Sequence, residues 1–175
     1  MRFTSLAAIA AASTLSAGVA LAQSGPTDPQ IAGIVVTANQ IDVDAGKLAK
    51  SRSKNKEVQA FANQMITDHT AVNKQASALV KKLKVKPADS PTSQDLKKGA
   101  KQNMANLRKL KGADFDKAYV DHEVAYHEAV LEAIDKTLIP SAKNAELKGL
   151  IEKVRPAIAA HLDHAKMLQS SLSKG

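Results

Sequence analysis

Apolar residues recur at intervals of three and four along five separate stretches of this chain, the spacing that lines one face of an α-helix. No strand is required anywhere. The first stretch follows Asp28-Pro29, an N-cap residue and a proline at the first helical position, and carries Ile31, Ile34, Val35, Ala38, Ile41, Ala45 and Leu48 to an end near Arg52. Asn55 caps the second, in which Val58, Phe61, Ala62, Met65, Val72, Ala76 and Leu79 share a face and Lys81, Lys82 and Lys84 close the C-terminus. A loop with two prolines, Val85 to Ser93, leads to a shorter helix predicted from about Ser93 to Leu110, with Gly112 breaking it. The fourth helix is expected from about Ala113 to Ile139, stopping before Pro140. Asn144 caps the fifth, where Pro156 predicts a local kink.

Composition fits that reading. Hydrophobic residues make up 44% of the 175, but aromatic ones only 3%, so the interior is built from Ala, Leu, Val and Ile, which suits close helix packing. Four long amphipathic segments and one short crossover segment define an all-α four-helix bundle with a short extra crossover helix. With no cysteine, disulfides, thiolate metal sites and cysteine nucleophiles are excluded.

Residues 1–22 have a different character. Arg2 precedes an Ala/Leu/Ile-rich run that ends in Ala20-Leu21-Ala22, the order of charged, apolar and small-residue regions found in a secretory signal peptide. Cleavage is expected before Gln23, leaving residues 23–175 as a single exported helical domain, periplasmic or secreted. No later stretch is long and apolar enough to span a bilayer.

Three of the five histidines interrupt apolar helical rows. His69 continues Val58, Phe61, Met65 and Val72; His127 continues Val120, Val124, Leu131 and Ile134; His161 continues Val154, Ile158, Ala165 and Leu168. On the first helix Asp42 lies on the apolar face, whereas Asp44 shares a face with Thr37 and Gln40. Asp42, His69 and His127 lie near the middle of their helices and His161 slightly past it, and reversing a helix leaves its midpoint in place, so antiparallel packing predicts one polar layer within about one helical turn, ~5 Å. Glu123 and His164, one turn and three residues from layer members, complete the candidate metal ligands, with Asp42 and Glu123 also suited to orienting an imidazole. His122 falls on another face.

A ferritin-type di-iron centre draws on inward glutamates and Glu-x-x-His pairs, and this chain has no Glu-x-x-His. Its inward set is rich in nitrogen and poor in carboxylate, which favours a single zinc, copper or nickel ion. Such an ion would be released below about pH 6, where protons compete for ordinary imidazoles. The rival reading is a hydrogen-bonded polar core with no metal.

The stretches Asp42-Val43-Asp44-Ala45-Gly46-Lys47-Leu48-Ala49 and Val58 to His69 resemble an exported bacterial ferritin-like family of unknown function, domain-of-unknown-function family 4142. Phe115 to Val120 with His127 downstream, and Arg155-Pro156 followed by His161-Leu162, extend the resemblance over most of the chain. It implies a ferritin-like bundle in the envelope or outside the cell. The family usually carries glutamates where this chain has Asp42 and Asp44, and the shorter side chain argues against direct ligation from the first helix.

Charge is segregated as well. Lys74 to Lys111 holds eleven basic residues and two acidic ones, and Asp114 to Asp135 seven acidic and one basic. The basic stretch has no interleaved aromatic residue to stack on bases, which disfavours nucleic acid as a partner; an anionic envelope surface is the better match. No nucleophile–base pair or glycine-rich phosphate loop is present, so enzyme chemistry would have only the histidine layer behind it. The favoured expectation is a protein that binds a metal ion or small ligand in envelope stress or metal handling. The alternatives are a metal-dependent enzyme using the same layer and a structural module bound to the envelope surface.

Overall fold

The computed structural model describes residues 25–174, so the expected signal peptide lies outside the described residues. Helix α1 spans Asp28–Arg52, α2 Lys56–Lys82, α3 Pro91–Leu107 and α4 Gly112–Ala133; a π-helical turn, Ile134–Leu138, and a single α-turn, α5 (Ile139–Ser141), continue α4 before α6, Ala145–Leu172. No strand occurs among the described residues.

Contacts at the helix ends fix the topology. The start of α1 meets the start of α6, since the Asp28 carboxylate accepts the backbone N–H groups of Lys143 and Asn144 at 2.9 and 3.0 Å. Lys82 at the end of α2 pairs with Glu146 at that same end of the bundle. At the far end, Arg52 donates to the Arg108 carbonyl at 2.6 Å and Ser171 to Glu57 at 3.3 Å. Helices α1 and α6 therefore run one way and α2 and α4 the other. The packed pairs α1–α2, α4–α6, α2–α6 and α1–α4 are all antiparallel. Because α2 finishes at the end opposite to the one where α4 begins, the connection must travel the length of the bundle. Seventeen residues of α3 cover about 25 Å of it. This helix lies outside, across α1 and α4, and fully buries only Ser93 and Leu107.

Asn55 and Asn144 cap α2 and α6 as the sequence predicts, each side chain accepting two backbone N–H groups. Three boundaries differ. Asp28 is the first residue of α1 rather than its cap; the cap is Thr27, whose N–H donates to Gln30 Oε1, and Asp28 is thereby free to tie down the α5–α6 turn. Helix α3 is shifted, starting at Pro91 because Ser90 and Ser93 form a reciprocal capping box. Pro140 does not end the fourth helix. Its missing N–H and its ring conflict with the ordinary i−4 bond, and the π turn just before it changes the register, Ile139 N–H reaching Ile134 O, so that the helix carries on to Ser141. Helix α6 runs through Pro156 without a break.

Segment 83–90 is held on α1 by the Ala88 N–H to Pro29 O bond, 2.9 Å. Gly33 makes this possible: a Cβ there would stand 2.2 Å from the Ala88 carbonyl oxygen.

The apolar interior is in two parts. One contains Ala49, Phe61, Met65, Phe115, Val120 and Leu168; the other contains Ile31, Ile34, Ile134, Leu147, Ile151 and Ile158. On α1, α2 and α6 alike, the residues between the two parts are polar: Asn39 and Asp42, His69, and His161. On α4 they are Glu123 and His127, and all six are buried.

Candidate metal centre

The rings of His69, His127 and His161 form a nearly equilateral triangle, with centroids 5.7, 5.2 and 5.6 Å apart. They come from α2, α4 and α6, and each is no more than 2% exposed. One nitrogen from each ring lies within 4.8 Å of one from each of the others. A tetrahedral ion with Zn–N bonds of about 2.0–2.1 Å needs nitrogens ~3.3 Å apart, a closure of under ~1 Å per ring.

Hydrogen bonds assign the tautomers. Asn39 Nδ2 donates to the Val35 carbonyl at 2.7 Å, which leaves Asn39 Oδ1 facing His69 Nδ1 at 2.8 Å; that nitrogen is therefore the donor. His127 Nδ1 donates to the Glu123 carbonyl at 2.9 Å. His161 Nε2 donates to Asp68 Oδ2 at 2.9 Å. The opposite nitrogens, His69 Nε2, His127 Nε2 and His161 Nδ1, are buried lone pairs with no hydrogen-bond partner. Such a state costs about 1–3 kcal/mol for each neutral group. An N–H held by an oxygen and a bare nitrogen across the ring is the arrangement that metal-bound histidines adopt.

Electrostatics keep the rings neutral. Burial, and then the neighbouring imidazoles, push His69 down to about 3. Burial takes His127 to about 4 and also lowers His161, against the pull of Asp68. The carboxyls move the other way. Burial pushes Glu123 up to about 8; burial, followed by the charge of Glu123, pushes Asp42 well above the usual carboxylate range. Both shifts favour the neutral, protonated carboxyl.

Sequence-predicted residues divide accordingly. Asp42, Glu123, His69, His127 and His161 are brought to one level. Asp42 Oδ2 is 3.5 Å from His69 Nδ1, and Glu123 Oε2 is 3.5 Å from His127 Nδ1. Both carboxylates thus stand beside the N–H side of an imidazole, the position of an orienting group. Asp42, Glu123 and His127 also form a second close trio. Asp44 is exposed and accepts from Gln40. His164 does not join the layer: its Nδ1 is bonded to Gln64 at 3.0 Å and its ring stands edge-on to Phe61 at 5.1 Å. His122 stacks on Tyr126, half-buried. Asn39 is the layer member the sequence reading missed, although its place three residues before Asp42 and four after Val35 puts it on the same face.

Residues 11–168 match the family model described as a domain of unknown function, DUF4142. The chain belongs to the DUF4142 family. No curated protein and no solved structure matches it. In this DUF4142 chain all three histidines of the layer fall within the matched residues. Among the described residues, no helix is long and apolar enough to cross a membrane.

Proposed function

We propose that this protein binds one divalent late transition-metal ion, zinc, copper or nickel, through His69 Nε2, His127 Nε2 and His161 Nδ1. The observation that carries the reading is the set of three buried, neutral imidazoles from three helices, each with its N–H engaged and its other nitrogen without a partner. Nitrogen donors suit these metals better than iron, manganese or magnesium. Three protein ligands leave a fourth position for water or a small ligand, with Asp42 and Glu123 orienting the rings. Given the expected signal peptide, the setting is the cell envelope and the role is metal handling or envelope stress.

The test is titration of chelator-treated protein with zinc, copper and nickel. Wild type takes up one equivalent of the preferred ion, His127→Ala and His161→Ala each lose it, and His164→Ala keeps it. Equal uptake by wild type and both layer variants would sink the proposal. A purely hydrogen-bonded polar layer is favoured by the contacts to Asn39, Glu123 and Asp68. On that reading the same variants lower stability and no form of the protein takes up metal.

A further inference from the structure

A cavity of about 130 Å³ lies between α1, α3, α4, the π turn and α6. Its walls are almost wholly aliphatic, with Ile34, Val35, Leu96, Val130, Ile134 and Ile158 among them. The polar lining residues are Asn39, Asp42 and His69, which belong to the histidine layer, and Thr92 and Tyr126 in the wall toward α3 and α4. Among the described residues no lysine or arginine lines it. The cavity shares Thr92, Leu96 and Tyr126 with a wider groove on the outside of the bundle, lined also by Ile41, Asn103 and His122. Tyr126 is fixed in that common wall by its hydroxyl, which donates to the Ala38 carbonyl at 3.2 Å, and by stacking on His122 at 5.6 Å. The groove thus adjoins the cavity across that wall, and Asn39, Asp42 and His69 of the polar layer also line the cavity.

We infer that this cavity is a binding pocket for a small, neutral, largely hydrocarbon molecule with one hydroxyl head, such as a phenol or a short primary alcohol. The hydrocarbon part lies among the aliphatic walls and the head lies against Asp42. Size sets the first limit: an apolar cavity of about 150 Å³ holds a benzene molecule, so six to eight heavy atoms fit here. Charge sets the second. An anionic head would meet Asp42 with no cation in the walls, and a cationic one would give up its hydration to aliphatic side chains. A hydroxyl both donates and accepts, so it satisfies Asp42 with or without its proton. An apolar pocket with a few convergent polar groups is also the usual form of a small-molecule site.

The pocket rests on the metal reading only at His69, where a bound ion would face the same ligand. Its test therefore begins without metal. The chelator-treated full chain is titrated with phenol, 1-hexanol, hexanoate and hexylamine while the methyl resonances of Ile34, Val35 and Ile158 are followed. Phenol and hexanol are expected to shift those signals saturably, and Val35→Phe to weaken their binding by about tenfold or more. Ala133→Leu fills the cavity from another wall and serves where Val35→Phe fails to fold. Absence of saturable shifts with both neutral probes, unchanged binding in the filled variants, or preference for hexanoate or hexylamine over hexanol overturns the inference. Zinc stoichiometry measured on the same samples keeps the two ideas apart: loss of the pocket leaves zinc uptake standing, and loss of zinc uptake leaves the phenol shifts standing.

Discussion

Asn39 and His69 are locked together across α1 and α2: Asn39 is turned by its own bond to the Val35 carbonyl so that only an acceptor oxygen faces the imidazole. The proton on Nδ1 is thereby fixed, and so is the lone pair on Nε2. Asn39→Leu removes that constraint while roughly keeping volume. Support of this kind is typically worth about 10–100-fold in metal affinity. Asn39→Leu is expected to weaken zinc binding to that degree, and Asn39→Asp to weaken it less. Competition with a chromophoric chelator measures both; wild-type affinity in Asn39→Leu would show that the tautomer lock is dispensable.

Protons should displace the ion later than the sequence suggests. Ordinary imidazoles would release it below about pH 6. Burial takes His69 to about 3 and His127 to about 4. Bound zinc is therefore expected to survive dialysis at about pH 5 and to be lost near pH 4. Metal analysis after dialysis across that range decides it.

Metal-free protein is expected to be most stable between about pH 6 and 7. The layer histidines bind protons only when unfolded once the pH drops below their ordinary 6.5, so their contribution falls as pH falls through that value toward about 3 and 4 for His69 and His127. Glu123 has the opposite sign. Its proton is held in the folded state up to about 8 but lost from the unfolded chain near 4.5, so stability declines as pH rises between those values. Asp42 shifts in the same direction. Between 4.5 and 6.5 four lowered histidines, the three of the layer and His122, outweigh the carboxyls and stability rises with pH; above 6.5 the raised Glu123 lowers it. Denaturant midpoints across pH 4–9 test this, and Glu123→Gln should flatten the alkaline side.

Gly33→Ala is expected to detach the crossover from α1. The new methyl would stand 2.2 Å from a backbone oxygen, which cannot rotate aside. Overpacking of this kind costs about 1–3 kcal/mol. Faster proteolysis within residues 83–90, with helix content retained, is the expected outcome. Unchanged protection there would mean that the strap contact contributes nothing.

Periodicity was enough to place the helices, because each long helix buries one face and its spacing records which one. It was enough for the layer too: His69, His127 and His161 stand out on otherwise apolar rows, and antiparallel packing brings midpoints together. Asn39 was not legible in the same way, since an asparagine on an alanine-rich face shows its purpose only once His69 is opposite. His164 misled because three residues along α6 is a turn of the helix but also a rotation, which carries its ring toward Gln64 and Phe61. Pro140 misled because a proline marks a missing hydrogen bond, and the register change that accommodates it depends on Ile134 and Leu138 finding places in the core.

The two apolar clusters above and below the histidines have a consequence for how the bundle opens. Each end is held largely by its own set of side chains, with Leu131 packing against both, so amide exchange at one end can proceed chiefly by loss of that set, as separate cooperative units do. Between them, α2, α4 and α6 meet through imidazoles that contribute little attraction of their own while neutral. An ion seated there would fasten three helices between the two apolar halves, turning two loosely coupled unfolding events into one.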